Sequence, residues 1–353
     1  MLRSLPSDEF DCHVVVPADP PLRGELEQAG VTVHVVPMHR ISTSHGLLDW
    51  VGYALAWPVA VVRLARLIRG LQVDVVHTNS LHSWYGWAAA ALTRTPHVWH
   101  AREIVVQSGA ALRVERLLTR HFADRVICMS QAIADQLPGA SVVVIPETAD
   151  PEEFNPRRAG RFRADVGIPD DVPLIGTVGR VDTWKGFDVL LDAFEQARAR
   201  LPQLQLTVIG GSVAGKEELN RSLATRAAAM PGVHWLGPRP DVPDALADLD
   251  VFVLPSTEPE PYGLVLVEAL GSGVPVVATD AGGPREIVAN AHRGSGRLVP
   301  PRDANALADA IVDSLRAAPP TSAAARAARR PLRDPEPERF GEVFRDVVAV
   351  RGH

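Results

Sequence analysis

Lysine is rare in this chain: Lys185 and Lys216 are its two examples, and every other basic side chain apart from histidine is arginine. Lys185 closes a string that runs from Gly179-Arg180 to Lys185-Gly186, between a short apolar run and a helical pattern. Gly179 lets a ligand approach the backbone closely. Arg180 and Lys185 bring two cations to a helix start, where unpaired N–H groups and the dipole already favour an anion. A diphosphate suits such a loop. An ordinary strand-to-helix turn with two surface cations is the plain alternative, and the scarcity of lysine weighs against it.

A second string, residues 258–273, puts Glu260 in a loop and Glu268 within the helix that follows. Gly263 opens that helix, and the amides beside it would face a ligand, with room left for a sugar ring or a phosphate. Glu268 lies among apolar residues at 264–270 and needs donors if it is buried; ribose hydroxyls would supply them. A solvent-facing glutamate on an amphipathic helix is the competing explanation. A third string, residues 273–286, runs a strand into Gly282-Gly283 and starts a helix at Pro284; alone it says little more than strand, turn, helix.

These strings need elements to hold them. Short apolar runs alternate with helical patterns along the whole chain, which marks a parallel α/β architecture. In the first half, strands are expected at 12–16, 31–36, 73–77, 97–100, 125–129 and 142–145, with helices at 22–29, 49–69, 84–93, 111–122 and 131–137. Residues 146–171, rich in Pro, Asp, Glu and Arg, are expected to link two domains. A second alternation follows, with strands at 174–178, 205–209, 233–236, 251–254, 274–278 and 296–299. This divides the chain into a domain at 1–150, a domain at 151–330 and a C-terminal helical segment at 331–353 that packs back on the first domain. Two doubly wound domains bind ligand between them, beyond the C-terminal ends of the strands.

Composition narrows the classes. With 353 residues, 46% hydrophobic and 22% charged, the chain is a globular protein of about two domains. A net charge of -6 argues against nucleic acid as partner. Cys12 and Cys128 form neither a disulfide framework nor a metal-ligand spacing, which points to a reducing compartment. The uncharged stretch 50–62 is 13 residues long and holds Pro58, too short for a membrane span; it is expected to be a buried or interfacial helix continuing through Arg63, Arg66 and Arg69. Residues 1–11 are polar and acidic, unlike a secretory leader.

In order and spacing the three strings resemble the family 4 retaining glycosyltransferases of GT-B fold, two Rossmann-like doubly wound domains facing a central cleft. The family's Glu, seven residues, then Glu is met by Glu260 and Glu268, and its Gly-Arg-(four)-Lys-Gly by Gly179, Arg180, Lys185 and Gly186. The resemblance implies that Arg180 and Lys185 hold a diphosphate and that Glu268 binds the ribose. It implies that Glu260, with the amides of Tyr262, Gly263 and Leu264 after it, contacts the donor sugar. In the first half, 74–80 resembles the family's strand ending in His77, which brings Asn79 with it. Residues 96–103 resemble the strand whose last histidine, His100, sits beside the reacting sugar, with Arg102 and Glu103 nearby. A hydrogen-bonded structural histidine is the alternative for His77 and His100.

The chain departs from the family at two places. It opens at what is the second strand of the plan, so the first strand, its Gly-rich loop and its helix are expected to be missing; either the true start lies upstream or the enzyme is truncated and weakened. Glu147-Thr148 stand where the family has Asn-Gly, which alters the tight turn near the domain junction.

The implied reaction takes a sugar from a UDP- or GDP-type donor, with retention, to a glycan, a lipid-linked sugar or a small metabolite, as in cell-envelope polysaccharide synthesis. Arg180, Lys185 and helix amides would stabilise the leaving diphosphate, so no cofactor and no divalent metal is expected, and no Asp-x-Asp string occupies a suitable loop. The enzyme would be cytoplasmic. Arg113, Arg116 and Arg120 share a helical face that could meet an anionic membrane or merely be solvated, and a lipid-linked acceptor would make the enzyme peripheral to the inner face of that membrane. Two other readings stay open: a catalytically impaired nucleotide-sugar binding protein, and a nucleotide-sugar 2-epimerase on the same plan.

Overall fold

The computed structural model describes residues 5–39, 47–106, 108–292, 294–317, 326 and 339–351, with backbone alone at 47–50 and 351. It divides into two compact units, Met1–Pro146 with Glu336–His353, and Glu147–Pro335.

The described residues of the first unit carry six parallel strands in two separate sheets. Strands β1 (His13–Val16) and β2 (Thr32–Val35) pair with each other. Strands β3 (Val76–Asn79), β4 (His97–Ala101), β5 (Arg125–Cys128) and β6 (Val142–Val144) form a second sheet in that order. Among the described residues no strand joins β1 to β3, so a pair and a quartet stand where a doubly wound fold has one sheet. Every residue of β4 is buried because both faces of the quartet are covered. On one of them, helix Arg339–Arg351 lays Phe340, Val343, Phe344 and Val347 against Val98, Ile127 and Ile145.

The long helix Leu47–Leu71 and helix Tyr85–Thr93 cover the pair, with Val36, Ala60, Val61, Leu64, Ala65, Tyr85, Ala88 and Ala89 in one cluster. Helix Gly109–Phe122 is capped by Ser108, whose hydroxyl accepts from the Ala111 amide. Of its three arginines one is engaged by the chain itself and two are exposed. The Arg116 guanidinium donates to the Gln136 carbonyl at 2.7 Å, whereas Arg120 runs past Gly139 and is exposed. Arg113 stays exposed.

The second unit is a single six-stranded parallel sheet. Its strands are β7 (Leu174–Val178), β8 (Gln205–Ile209), β9 (Val233–Gly237), β10 (Val251–Leu254), β11 (Val276–Thr279) and β12 (Gly296–Val299). Their order is β12-β11-β10-β7-β8-β9. The winding direction reverses between β7 and β10, and the crevice beyond their C-terminal ends is where doubly wound sheets bind ligands.

The expected linker at 146–171 is instead part of this unit. Residues Pro156–Arg158 form a 3-10 turn and Arg161–Val166 a helix, with Phe162 and Arg163 buried. The Arg163 guanidinium meets Asp250 at 2.8 Å and also donates to the carbonyls of Asp248, Pro169 and Val172. A side chain 1% exposed with this many partners is a structural anchor, and its polar composition looked like linker because the partners lie far away in sequence.

Candidate functional site

Two loops meet at the reversal point. The loop after β7 carries Gly179, Arg180 and a 3-10 turn, Thr183–Lys185, begun by Asp182, whose carboxylate accepts from the Thr183 amide. The loop after β10 carries Ser256, Thr257 and Glu260. They are clamped together. The Thr257 amide donates to the Trp184 carbonyl at 2.8 Å, and Gly186, at φ +68°, passes so close to Pro255 that a Cβ would fall 2.0 Å from its carbonyl oxygen. The clamp brings Lys185 Nζ to 2.8 Å from Glu260 Oε2, which also accepts from the Ser256 hydroxyl at 2.9 Å. The Lys185 ammonium lies 4.2 Å from the centre of the Trp184 ring. Arg180 is exposed beside it and makes no ion pair among the described residues. Around Gly179 a Cβ would meet nothing within 4 Å, so the backbone there faces open space.

Glu260 is held from behind by backbone. Its amide donates to the Ala281 carbonyl, its carbonyl accepts from the Gly283 amide, and a Cβ on Gly282 would come within 2.1 Å of that carbonyl. The Gly282-Gly283 turn, a weak signal in the sequence, therefore seats the carboxylate. Gly263, at φ +99°, then starts the helix Leu264–Gly271, whose first N–H groups have no carbonyl one turn back to bond. Tyr262 presents no ring to the site: it is 5% exposed, and its hydroxyl donates to the Glu147 carbonyl at 2.9 Å. Glu268 sits one turn into the helix. Burial, with Glu153 and Glu147 adding negative charge, pushes its carboxyl up to about 7. Such a group gains from donors brought by a ligand.

In the first unit the expected acceptor-side residues divide. Asn79 is exposed at the end of β3, and its side-chain oxygen is 3.5 Å from the Arg102 guanidinium. The Glu103 carboxylate is committed to the chain: it accepts from the Ser80 hydroxyl at 2.5 Å and from the Leu81 and Arg102 amides. The His77 and His100 rings meet at a tilt with centroids 5.5 Å apart, and His77 meets Phe344 edge-on while His100 packs at a tilt on Phe340. His100 is 1% exposed with neither ring nitrogen bonded. Burial, then the neighbouring histidine and Arg102, holds it down to about 2; burial, then His97 and Arg102, holds His77 down to about 4. The expectation of a hydrogen-bonded structural histidine is not met at His100, and neither is that of an imidazole open to a sugar: the C-terminal helix covers it.

Residues 172–317 match the family described as glycosyl transferases group 1, and residues 1–148 match the glycosyl transferase 4-like domain. A D-inositol 3-phosphate glycosyltransferase of Stackebrandtia nassauensis is 30% identical over 82% of this chain and 71% of its own length. The chain belongs to the group 1 glycosyl transferases. A GDP-mannose-dependent alpha-mannosyltransferase of Mycobacterium tuberculosis is 30% identical over 85% of this glycosyltransferase and 78% of its own length. With a D-inositol 3-phosphate glycosyltransferase of Corynebacterium jeikeium the match is 32% identical over 69% of this chain but spans 64% of that relative. The solved structure of HepE from Anabaena with UDP and glucose is 26% identical, covers 96% of this chain and 91% of its own, and superposes at a TM-score of 0.73. The glycosyltransferase therefore has the GT-B fold.

Two features of this glycosyltransferase escaped the motifs. Ser256 shares the Glu260 carboxylate with Lys185, and the loop in which it stands marks it in no way. His82 is bonded through Nδ1 to the buried Glu115 carboxylate at 2.8 Å across 33 residues of sequence, a pairing no local pattern signals.

Proposed function

We propose that this glycosyltransferase takes a sugar from a UDP- or GDP-linked donor and passes it, with retention, to a hydroxyl of a small phosphorylated polyol or a glycan. The observation that carries the reading is the Lys185–Glu260 contact at the β7/β10 reversal, one loop away from the N-terminus of helix Leu264–Gly271. Arg180 and Lys185 would take the diphosphate, and the amides at Gly263 and Leu264 would add partial positive charge. Glu260 would then turn from Lys185 to the hydroxyls of the sugar, and Glu268 would accept from the ribose. Negative charge grows on the diphosphate as its bond to the sugar breaks, and two cations with oriented amides lower that barrier electrostatically. Retention follows from attack on the face the diphosphate leaves, with no enzyme nucleophile required.

The relatives supply the chemical range: one is named for GDP-mannose, several for D-inositol 3-phosphate, and HepE was solved with UDP-glucose. A cytoplasmic site of action fits two cysteines that are free in the structure, and synthesis of envelope glycans fits the acceptor class. No divalent metal takes part in this reading, so excess EDTA leaves turnover unchanged. The decisive experiment has two steps. UDP, GDP and ADP are screened by thermal shift, and the sugar donors of the best binder are then assayed with myo-inositol phosphate and oligosaccharide acceptors. Arg180→Ala with Lys185→Ala lowers turnover by about a hundredfold or more while the circular dichroism spectrum is retained. Unchanged turnover in that double variant refutes the assignment.

A further inference from the structure

Helix Leu47–Leu71 has two apolar faces, and among the described residues one of them is exposed. The inner face, with Tyr53, Trp57, Ala60, Val61, Leu64 and Ile68, packs on the first unit. It is fixed by aromatic contacts from Trp57 to Tyr85 at 6.3 Å and to Trp87 at 6.5 Å, and Trp87 in turn meets Phe122 at 4.6 Å. The outer face recurs every three or four residues as Val51, Leu55, Val59, Val62, Arg66 and Arg69. Its apolar members are exposed by 49%, 72%, 52% and 42% in that order, values that exclude a core position for this face. The stretch Val51–Leu71 is apolar enough for a membrane, yet only 22% of its most apolar window is buried.

The row changes character along its length. Apolar residues occupy the first three turns, and arginine follows at 63, 66 and 69. Arg63 and Arg66 make no ion pair among the described residues. The Arg69 guanidinium donates to the Leu92 carbonyl at 2.8 Å, which places the exposed Leu92 beside the basic end.

We propose that this outer face lies in the surface of an anionic lipid bilayer, with Val51, Leu55, Val59 and Val62 among the acyl chains and Arg63 and Arg66 on lipid phosphates. The geometry favours lying in the surface over crossing it. The apolar part of the row is about 18 Å long, against about 30 Å of hydrocarbon in a bilayer. The inner face, moreover, is committed to the core of the unit. Hydrophobic insertion and phosphate attraction act together on such a helix and favour anionic lipid. This surface belongs to the first unit, and the inference does not depend on the donor reading. It also differs from the arginines of helix Gly109–Phe122, of which Arg116 is bonded to the Gln136 carbonyl.

The test is co-sedimentation of the full chain with large vesicles, made either of phosphatidylcholine alone or of phosphatidylcholine with phosphatidylglycerol. The chain sediments with the mixed vesicles and stays in solution with phosphatidylcholine alone. Leu55→Asp with Val59→Asp, and separately Arg63→Glu with Arg66→Glu, each weaken vesicle binding by about tenfold or more. All four positions are exposed, so the melting temperature and any thermal shift with UDP or GDP are retained, which separates a surface effect from unfolding. A wild-type chain that stays in solution with mixed vesicles overturns the proposal, as do variants that sediment like wild type. So does a solution dimer that Leu55→Asp with Val59→Asp splits, because the face would then belong to a second copy of the chain.

Discussion

Lys185 and Glu260 are largely shielded, with side-chain exposures of 16% and 10%, and removing one charge strands the other. Lys185→Met leaves Glu260 with Ser256 as its remaining side-chain partner and costs about 1–3 kcal/mol of stability. Adding Glu260→Gln recovers most of that loss in a urea melt; a double variant no more stable than the single one means the pair is not coupled. Glu268 gives a pH signature. Its folded carboxyl, at about 7, binds a proton more tightly than the unfolded group near 4.5. Between those two values the folded state holds more protons, so the stability this group contributes is present at low pH and is lost as pH rises towards 7 and above. Glu268→Gln therefore stabilises the ligand-free protein at pH 8 by roughly 2–3 kcal/mol and changes little at pH 4.5. A gain of equal size at both pH values would show that the carboxyl is not the cause. At this scale the sequence was most readable where one string holds all the parts. Arg180, Lys185, Glu260 and Glu268 stood out because glycines and cations recur at fixed short offsets. Ser256, and the engagement of Lys185 with Glu260 across 75 residues, did not, because side-chain pairing between loops leaves no local pattern.

Among the elements, the helix Arg161–Val166 and the helix Arg339–Arg351 carry the clearest consequences. Arg163 anchors the first of them through the buried Asp250, the buried Asp248 carbonyl and the half-buried bonds to the Pro169 and Val172 carbonyls. Arg163→Met leaves Asp248 and Asp250 with fewer donors and destabilises the second unit by about 3–5 kcal/mol in a denaturant melt. A loss below 1 kcal/mol would return the segment to the status of linker. The C-terminal helix covers two histidines held neutral. Their folded pKa values, about 4 for His77 and about 2 for His100, lie below the unfolded 6.5. The stability they give is present above pH 6.5 and is lost as pH falls, by roughly 5 kcal/mol for the two together down to pH 4.5. His77→Leu with His100→Leu flattens that acid limb; a limb as steep as in the wild type places the titration elsewhere. The strands were largely legible because parallel, doubly covered strands read as apolar runs. The 146–171 segment was not, since charged residues bonded to distant partners look the same in sequence as charged residues in water.

For the whole molecule, the division of the first unit into a pair and a quartet sets an order of local opening. Two short strands bonded only to each other make a marginal sheet, and their cover comes from side chains such as Val15, Val36 and Met38 against helix Leu47–Leu71. Hydrogen exchange should be fastest in β1 and β2, slower in β3–β6 and slowest in β7, β8 and β10. Equal protection of β1 and β4 would contradict that order. The second unit has the opposite character. The loops after β7 and β10, the seat of Glu260 at Gly282-Gly283, the Tyr262 bond to Glu147 and the Arg163 anchor all fall within Glu147–Pro335. Arg326, buried between Asp248 and Asp170, belongs to the same set. A chimera that exchanges donor preference between relatives should therefore be joined at Pro146 and again beyond Arg326. A crossover placed at Asp171, where the regular alternation of strands begins, would separate the imported sheet from the arginine and the carbonyl it was built around.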